Sequence, residues 1–143
     1  PVLYLYANWT FQDLRDLRKL TPGTTVENPT YKMRIPNVPY LLGNFGAEFH
    51  KENIFGGSGQ NTRLLFDASY IHQYFYDFEV SRYQERKIPT SFTMDAAVEH
   101  SFGNDKWTLT LKVKNLTNRR VVSELNRPLP GRYIGFKVRY LFR

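Results

Sequence analysis

Residues 134–143 read IGFKVRYLFR. Ile134, Phe136, Val138, Tyr140 and Phe142 fall on one side of an extended chain, and Gly135, Lys137, Arg139 and Leu141 fall on the other. Side chains of a strand alternate between its two faces, so this spacing predicts a β-strand with one apolar, aromatic face and one basic face. The mean hydropathy of the whole chain is −0.50. An oily stripe on so polar a chain needs something apolar to cover it.

The same period of two recurs upstream. LYLYANWTF (3–11) places Leu3, Leu5, Ala7, Trp9 and Phe11 opposite Tyr4, Tyr6, Asn8 and Thr10. YLLGNFGAEFH (40–50) places Leu41, Gly43, Phe45, Ala47 and Phe49 opposite Asn44, Glu48 and His50. In TRLLFDASYIHQYFY (62–76), Leu64, Phe66, Ala68, Tyr70 and Tyr74 oppose Arg63, Asp67, Ser69 and Gln73. SFTMDAAVEHSF (91–102) sets Phe92, Met94, Ala96, Val98 and Phe102 against Thr93, Asp95, Glu99 and Ser101. WTLTLKVKN (107–115) sets Trp107, Leu109, Leu111 and Val113 against Thr108, Thr110, Lys112 and Lys114. Over these spans the apolar parity carries no Lys, Arg, Asp or Glu, although 23% of the chain is charged.

The connections alternate in length. KENIFGGSGQN (51–61) and GNDK (103–106) are short turns, whereas roughly 13–38, 77–91 and 116–131 are long and carry Pro, Asn, Arg and Glu, as surface loops do. GNDK also predicts a register. With Asn104 and Asp105 as the two loop residues of a type I′ hairpin, Phe102 meets Trp107, Val98 meets Leu111 and Ala96 meets Val113. On the other face Asp95 then meets Lys114, and Glu99 lies diagonal to Lys112. Apolar meets apolar and acid meets base, the complementarity that cross-strand pairs favour.

Short and long connections in alternation, with strands of about 9–11 residues, match an antiparallel up-and-down transmembrane β-barrel segment. The expectation is an all-β fold of about six long strands, with short periplasmic turns and long extracellular loops. The lipid-facing residues are then Trp107, Leu109, Leu111, Val113, Ile134, Phe136, Val138, Tyr140 and Phe142. Asp95, Glu99, Lys112, Lys114, Lys137 and Arg139 become lumen-facing charges, expected to form a ladder of ion pairs, with a basic lumen wall that attracts anionic ligands or an acidic plug surface as the other reading. Two alternatives stand beside this: a soluble β-sandwich that binds a ligand, and a passive outer-membrane barrel. The sequence holds no apolar run of about 20 residues, so no helix spans a membrane. The chain opens at Pro1 already inside a strand pattern, which reads as a piece of a longer polypeptide.

The segment WTLTLKVKNLTN followed by RPLPGRYIGFKVRYLF resembles the C-terminal end of TonB-dependent outer-membrane receptors. In that family the next-to-last strand ends in Asn-Leu-x-(Asp/Asn), matched by Asn115, Leu116 and Asn118. Pro-Gly-Arg, matched by Pro130, Gly131 and Arg132, opens the last strand, and a closing aromatic is matched by Phe142, here followed by Arg143. The resemblance implies that residues 1–143 are the C-terminal part, the last six strands, of a barrel of about 22 strands whose lumen holds a plug. It further implies active import of a scarce ligand of the siderophore, haem, cobalamin or glycan class, with TonB acting through the plug. The implied partners are the remaining strands and the plug, outer-membrane lipid and a surface lipoprotein. The implied location is the bacterial outer membrane, and no cofactor is implied.

Nothing in the sequence points to catalysis. His50, His72 and His100 lie on three different strands without triad order or metal-ligand spacing. The Gly56–Gly59 stretch lacks the Lys-Ser/Thr of a phosphate loop and reads as a turn. The chain has no cysteine, which excludes disulfides and thiolate metal sites. A formal charge of +7 raises nucleic acid as a partner. The aromatic and basic residues fall on opposite faces, however, so no stacking platform forms and that partner is set aside. Contacts to an anionic or aromatic ligand are expected from loop residues Tyr31, Arg34, Tyr83, Arg86, Lys87, Arg119, Arg120 and Arg127, which offer cations and π-faces.

Overall fold

A computed structural model describes residues 1–78, 87–124 and 127–142. Six long strands form one antiparallel sheet: β1 (Val2–Phe11), β2 (Leu41–Glu52), β3 (Asn61–Ile71), β6 (Ser91–Phe102), β7 (Trp107–Lys114) and β10 (Tyr133–Tyr140). Their order in space is their order along the chain, a meander with β1 and β10 as open edges. Two small ribbons lie in the loops, β4 (Tyr74–Phe75) with β5 (Lys87–Ile88), and β8 (Val122–Glu124) with β9 (Arg127–Pro128). Among the described residues there is no helix and no second large sheet.

The expected register of the GNDK hairpin is the observed one: Phe102 pairs with Trp107, Val98 with Leu111 and Ala96 with Val113. Asn104 and Asp105 have φ of 54° and 63°, the left-handed pair that a type I′ turn requires and that Asn and Asp tolerate. The 51–61 connection turns through Gly56 and Gly59, both at positive φ. The two turns are tied together where the Asn104 N–H donates to the Gly59 carbonyl at 3.2 Å.

Two strand boundaries differ from the sequence reading. The third segment does not run on to Tyr74, because β3 stops at Ile71 and Tyr74 pairs instead with Ile88 in the loop ribbon. The Gln73 N–H is taken by the Thr90 hydroxyl at 3.1 Å rather than by a neighbouring strand. At its other end β2 extends to Glu52, which brings Lys51 onto the apolar parity beside Thr62, at the turn-end margin of the sheet.

Glycines on β2 let aromatic rings of β1 lie flat on the sheet. The Trp9 ring covers Gly43 and the Tyr6 ring covers Gly46, on opposite faces, and a Cβ at either glycine would strike the ring. At Gly46 that Cβ would also lie 2.6 Å from the Phe66 backbone oxygen, which cannot move without breaking the ladder. Gly46→Ala should therefore destabilise the sheet by about 1–3 kcal/mol. Gly43→Ala should cost less, because the Trp9 ring is 60% exposed and can swing aside. Urea midpoints of the two variants test the ordering.

Candidate functional site

All ladders keep the same phase, so the apolar stripes meet on one face. Leu5 pairs with Ala47, Ala47 with Phe66 and Phe66 with Ala96; Ala96 pairs with Val113 and Val113 with Ile134. One row towards the turns, Phe49, Leu64, Val98, Leu111 and Phe136 run side by side. Among the described residues neither face is covered by a second sheet or a helix. Among the described residues the buried apolar side chains are Ala68, Ile88 and Val121 alone. Phe136 is 68% exposed and Ile134 64%, while Leu109 and Val113 are half-buried by their neighbours within the sheet.

Aromatic rings border this face at both ends. At the turn end, ring centroids follow one another from Phe55 to His100 (5.3 Å), Phe102 (5.9 Å), Trp107 (6.3 Å), Tyr140 (4.5 Å) and Phe142 (4.6 Å). At the loop end, Phe11, Tyr40, His72, Tyr70 and Trp9 are linked at 6.2, 4.8, 6.2 and 6.1 Å in turn. Offset and edge-on contacts at these spacings are the favoured geometries of aromatic pairs. The two histidines on the apolar parity each meet a hydroxyl. His100 Nδ1 lies 2.9 Å from Thr62 Oγ1, and His72 Nδ1 lies 2.8 Å from the Tyr70 hydroxyl. Among the described residues no three His, Asp or Glu side chains gather as metal ligands.

The opposite face carries the charges, but not as the expected ladder of ion pairs. Asp95 turns its carboxylate to the end of β7, where Oδ1 accepts the Asn115 N–H at 2.9 Å. Glu99 accepts from the Thr110 hydroxyl at 3.4 Å, and Arg139 donates to the Thr108 hydroxyl at 3.1 Å. Among the described residues none of Lys112, Lys114, Lys137 and Arg139 reaches an acid, and the ion pair on this face is Arg63–Glu48 at 4.0 Å. Register explains three of the four: Lys112 lies opposite Ala97, Lys137 opposite Thr110 and Arg139 opposite Thr108. Lys114 stands one step beyond the Ala96–Val113 pair, across from Asp95, whose carboxylate is taken by the Asn115 N–H.

The first long loop is more ordered than its composition suggests. Asp16, 5% exposed, organises residues 13–40. Its carboxylate accepts from the Arg18 guanidinium at 3.0 and 2.8 Å, the Arg18 N–H at 3.0 Å, Asn28 Nδ2 at 3.0 Å and the Thr30 hydroxyl at 2.9 Å. The hydrogen bond from the Arg18 side chain, followed by that from its backbone and those from Asn28 and Thr30, holds this carboxyl far below the usual range against the opposing effect of burial. The sequence reading missed Asp16. Its signal was an Asp two residues before an Arg, with Asn-Pro-Thr at 28–30 to close the ring of donors.

Of the expected ligand residues, the structure brings Arg34 and Lys87 into one cleft of about 160 Å³, with Tyr40, His72, Tyr74 and Phe75. Arg34 lies over the Tyr40 ring at 4.6 Å and donates to Asp13 at 3.0 Å; Lys87 lies over Phe75 at 4.9 Å. Tyr31 stands apart, with Lys32 over its ring at 5.3 Å. Arg119, Arg120 and Arg127 are exposed on the 116–132 loop and do not line that cleft. Tyr83 and Arg86 lie outside the described residues. Comparison of the chain with protein-family models, with curated proteins and with solved structures finds no match.

The Asp16 ring fixes a pH dependence. A carboxyl depressed in the folded loop stabilises it fully above the ordinary carboxylate range and loses that contribution as pH falls towards the folded value. Lys32 N–H donates to the Asp16 carbonyl, and Asp16 N–H to that of Met33. Hydrogen-exchange protection at these two amides should be constant from pH 7 to about 5 and fall below about pH 4. In Asp16→Asn the protection should be low throughout, and the acid-dependent step should vanish.

Proposed function

We propose that this chain is a stretch of wall from a transmembrane β-barrel of the bacterial outer membrane. Within that class we read it as the C-terminal strands of a TonB-dependent receptor, which imports a scarce ligand by energy coupling. The observation that carries the barrel reading is one continuous apolar face with an aromatic row at each end. β3 passes from one row to the other in 11 residues, about 33 Å along the strand at ~3.3 Å per residue. Tilted by about 40°, as barrel strands are, that length covers about 25 Å of height, the apolar band of outer-membrane barrels.

Energetics favour hydrocarbon over water on this face. Each large side chain there, Leu111, Phe136 and Val138 among them, gains about 1.5–3 kcal/mol when taken from water. His72 and His100 stand near the ends of the face, where a polar group costs less than at mid-membrane, and a hydroxyl meets Nδ1 of each ring. The opposite face, with its free ammonium groups and threonines, suits a wet lumen. Both edges, β1 and β10, offer unpaired ladder positions to the remaining strands. Residues of the family resemblance act at one place: Asn118 Oδ1 accepts the Arg132 N–H at 2.9 Å, so Asn-Leu-x-Asn and Pro-Gly-Arg close the base of one loop.

The plug of the same receptor, TonB acting through it, membrane lipid and a surface lipoprotein are the partners this reading entails. It assigns the chain neither a reaction nor a nucleic acid. The test is insertion into lipid vesicles. Headgroup-level bromine should quench Trp9 and Trp107 more than mid-chain bromine does. Leu111→Arg, at mid-face, should weaken insertion by about 2–4 kcal/mol, whereas Thr110→Arg on the other face should leave it nearly unchanged. Unquenched tryptophans, or equal effects of the two arginines, would sink the barrel reading. Energy coupling is tested separately, by ligand uptake in cells with and without an energised inner membrane.

A further inference from the structure

A second cavity, of about 410 Å³, lies between the charged face of the sheet and the 116–132 loop. Asp95, Lys114 and Tyr133 form its floor, and Val121, Leu129 and Pro130 lean over it from the loop. Its walls are pinned: Leu129 N–H donates to the Val121 carbonyl at 2.8 Å, and Asn115 and Arg119 exchange hydrogen bonds of 2.7 and 2.9 Å. The size falls in the range of small-molecule sites, and an apolar wall with few polar groups is their usual composition.

The charges of the cavity are unequal in their commitments. Asp95 spends one oxygen on the Asn115 N–H. Lys114 makes no hydrogen bond or ion pair among the described residues, and neither does Lys112, two residues further along the same face. The other nearby acid, Asp67, pairs with Asp95 and so stands two strands from Lys114, about 10 Å away, near the screening length of physiological salt. Asp95 stands across from Lys114, but its carboxylate is turned to the Asn115 N–H and makes no ion pair with the ammonium, which an incoming anion beside the apolar wall can take.

We propose that this cavity binds a small organic anion with a flat apolar body. The body lies between Leu129, Val121 and the Tyr133 ring, and the carboxylate or a like anionic group sits on Lys114 Nζ, with Lys112 adding to the field. The inference deepens the barrel-wall reading and rests on it in one respect, that this face is wet.

The test uses two probes of one shape, 2-naphthoate and its neutral amide 2-naphthamide, added to the full chain folded in micelles or in buffer. Naphthoate should shift the NMR signals of Val121, Leu129 and Lys114. Its affinity should fall about tenfold in Lys114→Met, hold in Lys114→Arg, and hold in Lys137→Met further along the face. The amide should bind weakly and ignore all three substitutions. Equal affinity for amide and acid, indifference to Lys114→Met, or shifts confined to Leu111, Phe136 and Val138 would overturn the proposal. Loss of binding in Lys114→Arg as well as Lys114→Met would overturn it too. Bromine quenching reports on the barrel reading alone, so the two ideas fail separately.

Discussion

Ladder register is the constraint on which the rest of this structure depends. Side chains alternate with a period of two, so slipping any one strand by a single residue would put its apolar stripe among the lysines and its charges among the leucines. Five ladders join the six long strands, and every one of them is in phase. Local chemistry enforces this at several points. The left-handed Asn104 and Asp105 fix β6 against β7, and the rings of Tyr6 and Trp9, seated on Gly46 and Gly43, hold β1 against β2. Each device is local, yet together they decide which surface is oily over its whole width.

That surface has no protein cover among the described residues, and its margins are chemically distinct from its middle. Leucine, valine, alanine and phenylalanine occupy the centre, while tryptophan, tyrosine and hydroxyl-paired histidine gather at both ends beside further phenylalanines. Amphipathic rings prefer a boundary where one edge is apolar and the other wet. That placement of tryptophan and tyrosine supports the proposed bilayer setting. The opposite face follows a different rule. Apart from the Arg63–Glu48 pair, Asp95 terminates a strand and Glu99 binds a hydroxyl, so among the described residues Lys112, Lys114 and Lys137 are left for whatever fills the space they face.

Much of this was legible in the residues. Alternation in 134–142 and its five counterparts predicts the strands, and the GNDK turn predicts a register that the structure reproduces. Boundaries were less legible where loop chemistry competes with the ladder. Tyr74 keeps the alternation of β3 but belongs to a loop ribbon, because Thr90 and Ile88 offer its segment other partners. The functional residues were legible only in part. Arg34 and Lys87 do share a cleft, whereas Asp16, the organiser of the largest loop, carries no periodic signal, and its three partner residues lie as far as 14 residues away.

Sequence alone determined the all-β class, the two-faced strands, the meander order and the register of one hairpin, because each rests on near-neighbour sterics and on a period of two. Tertiary structure alone decided that Lys112, Lys114, Lys137 and Arg139 meet no acid among the described residues, that aromatic side chains from separate strands join into two rows, and that a cavity opens beside Lys114. Those outcomes depend on which side chains stand across from one another several strands away and on how loops fold back over the sheet. Such distances are set by the sum of all ladders, and no single stretch of the chain contains them.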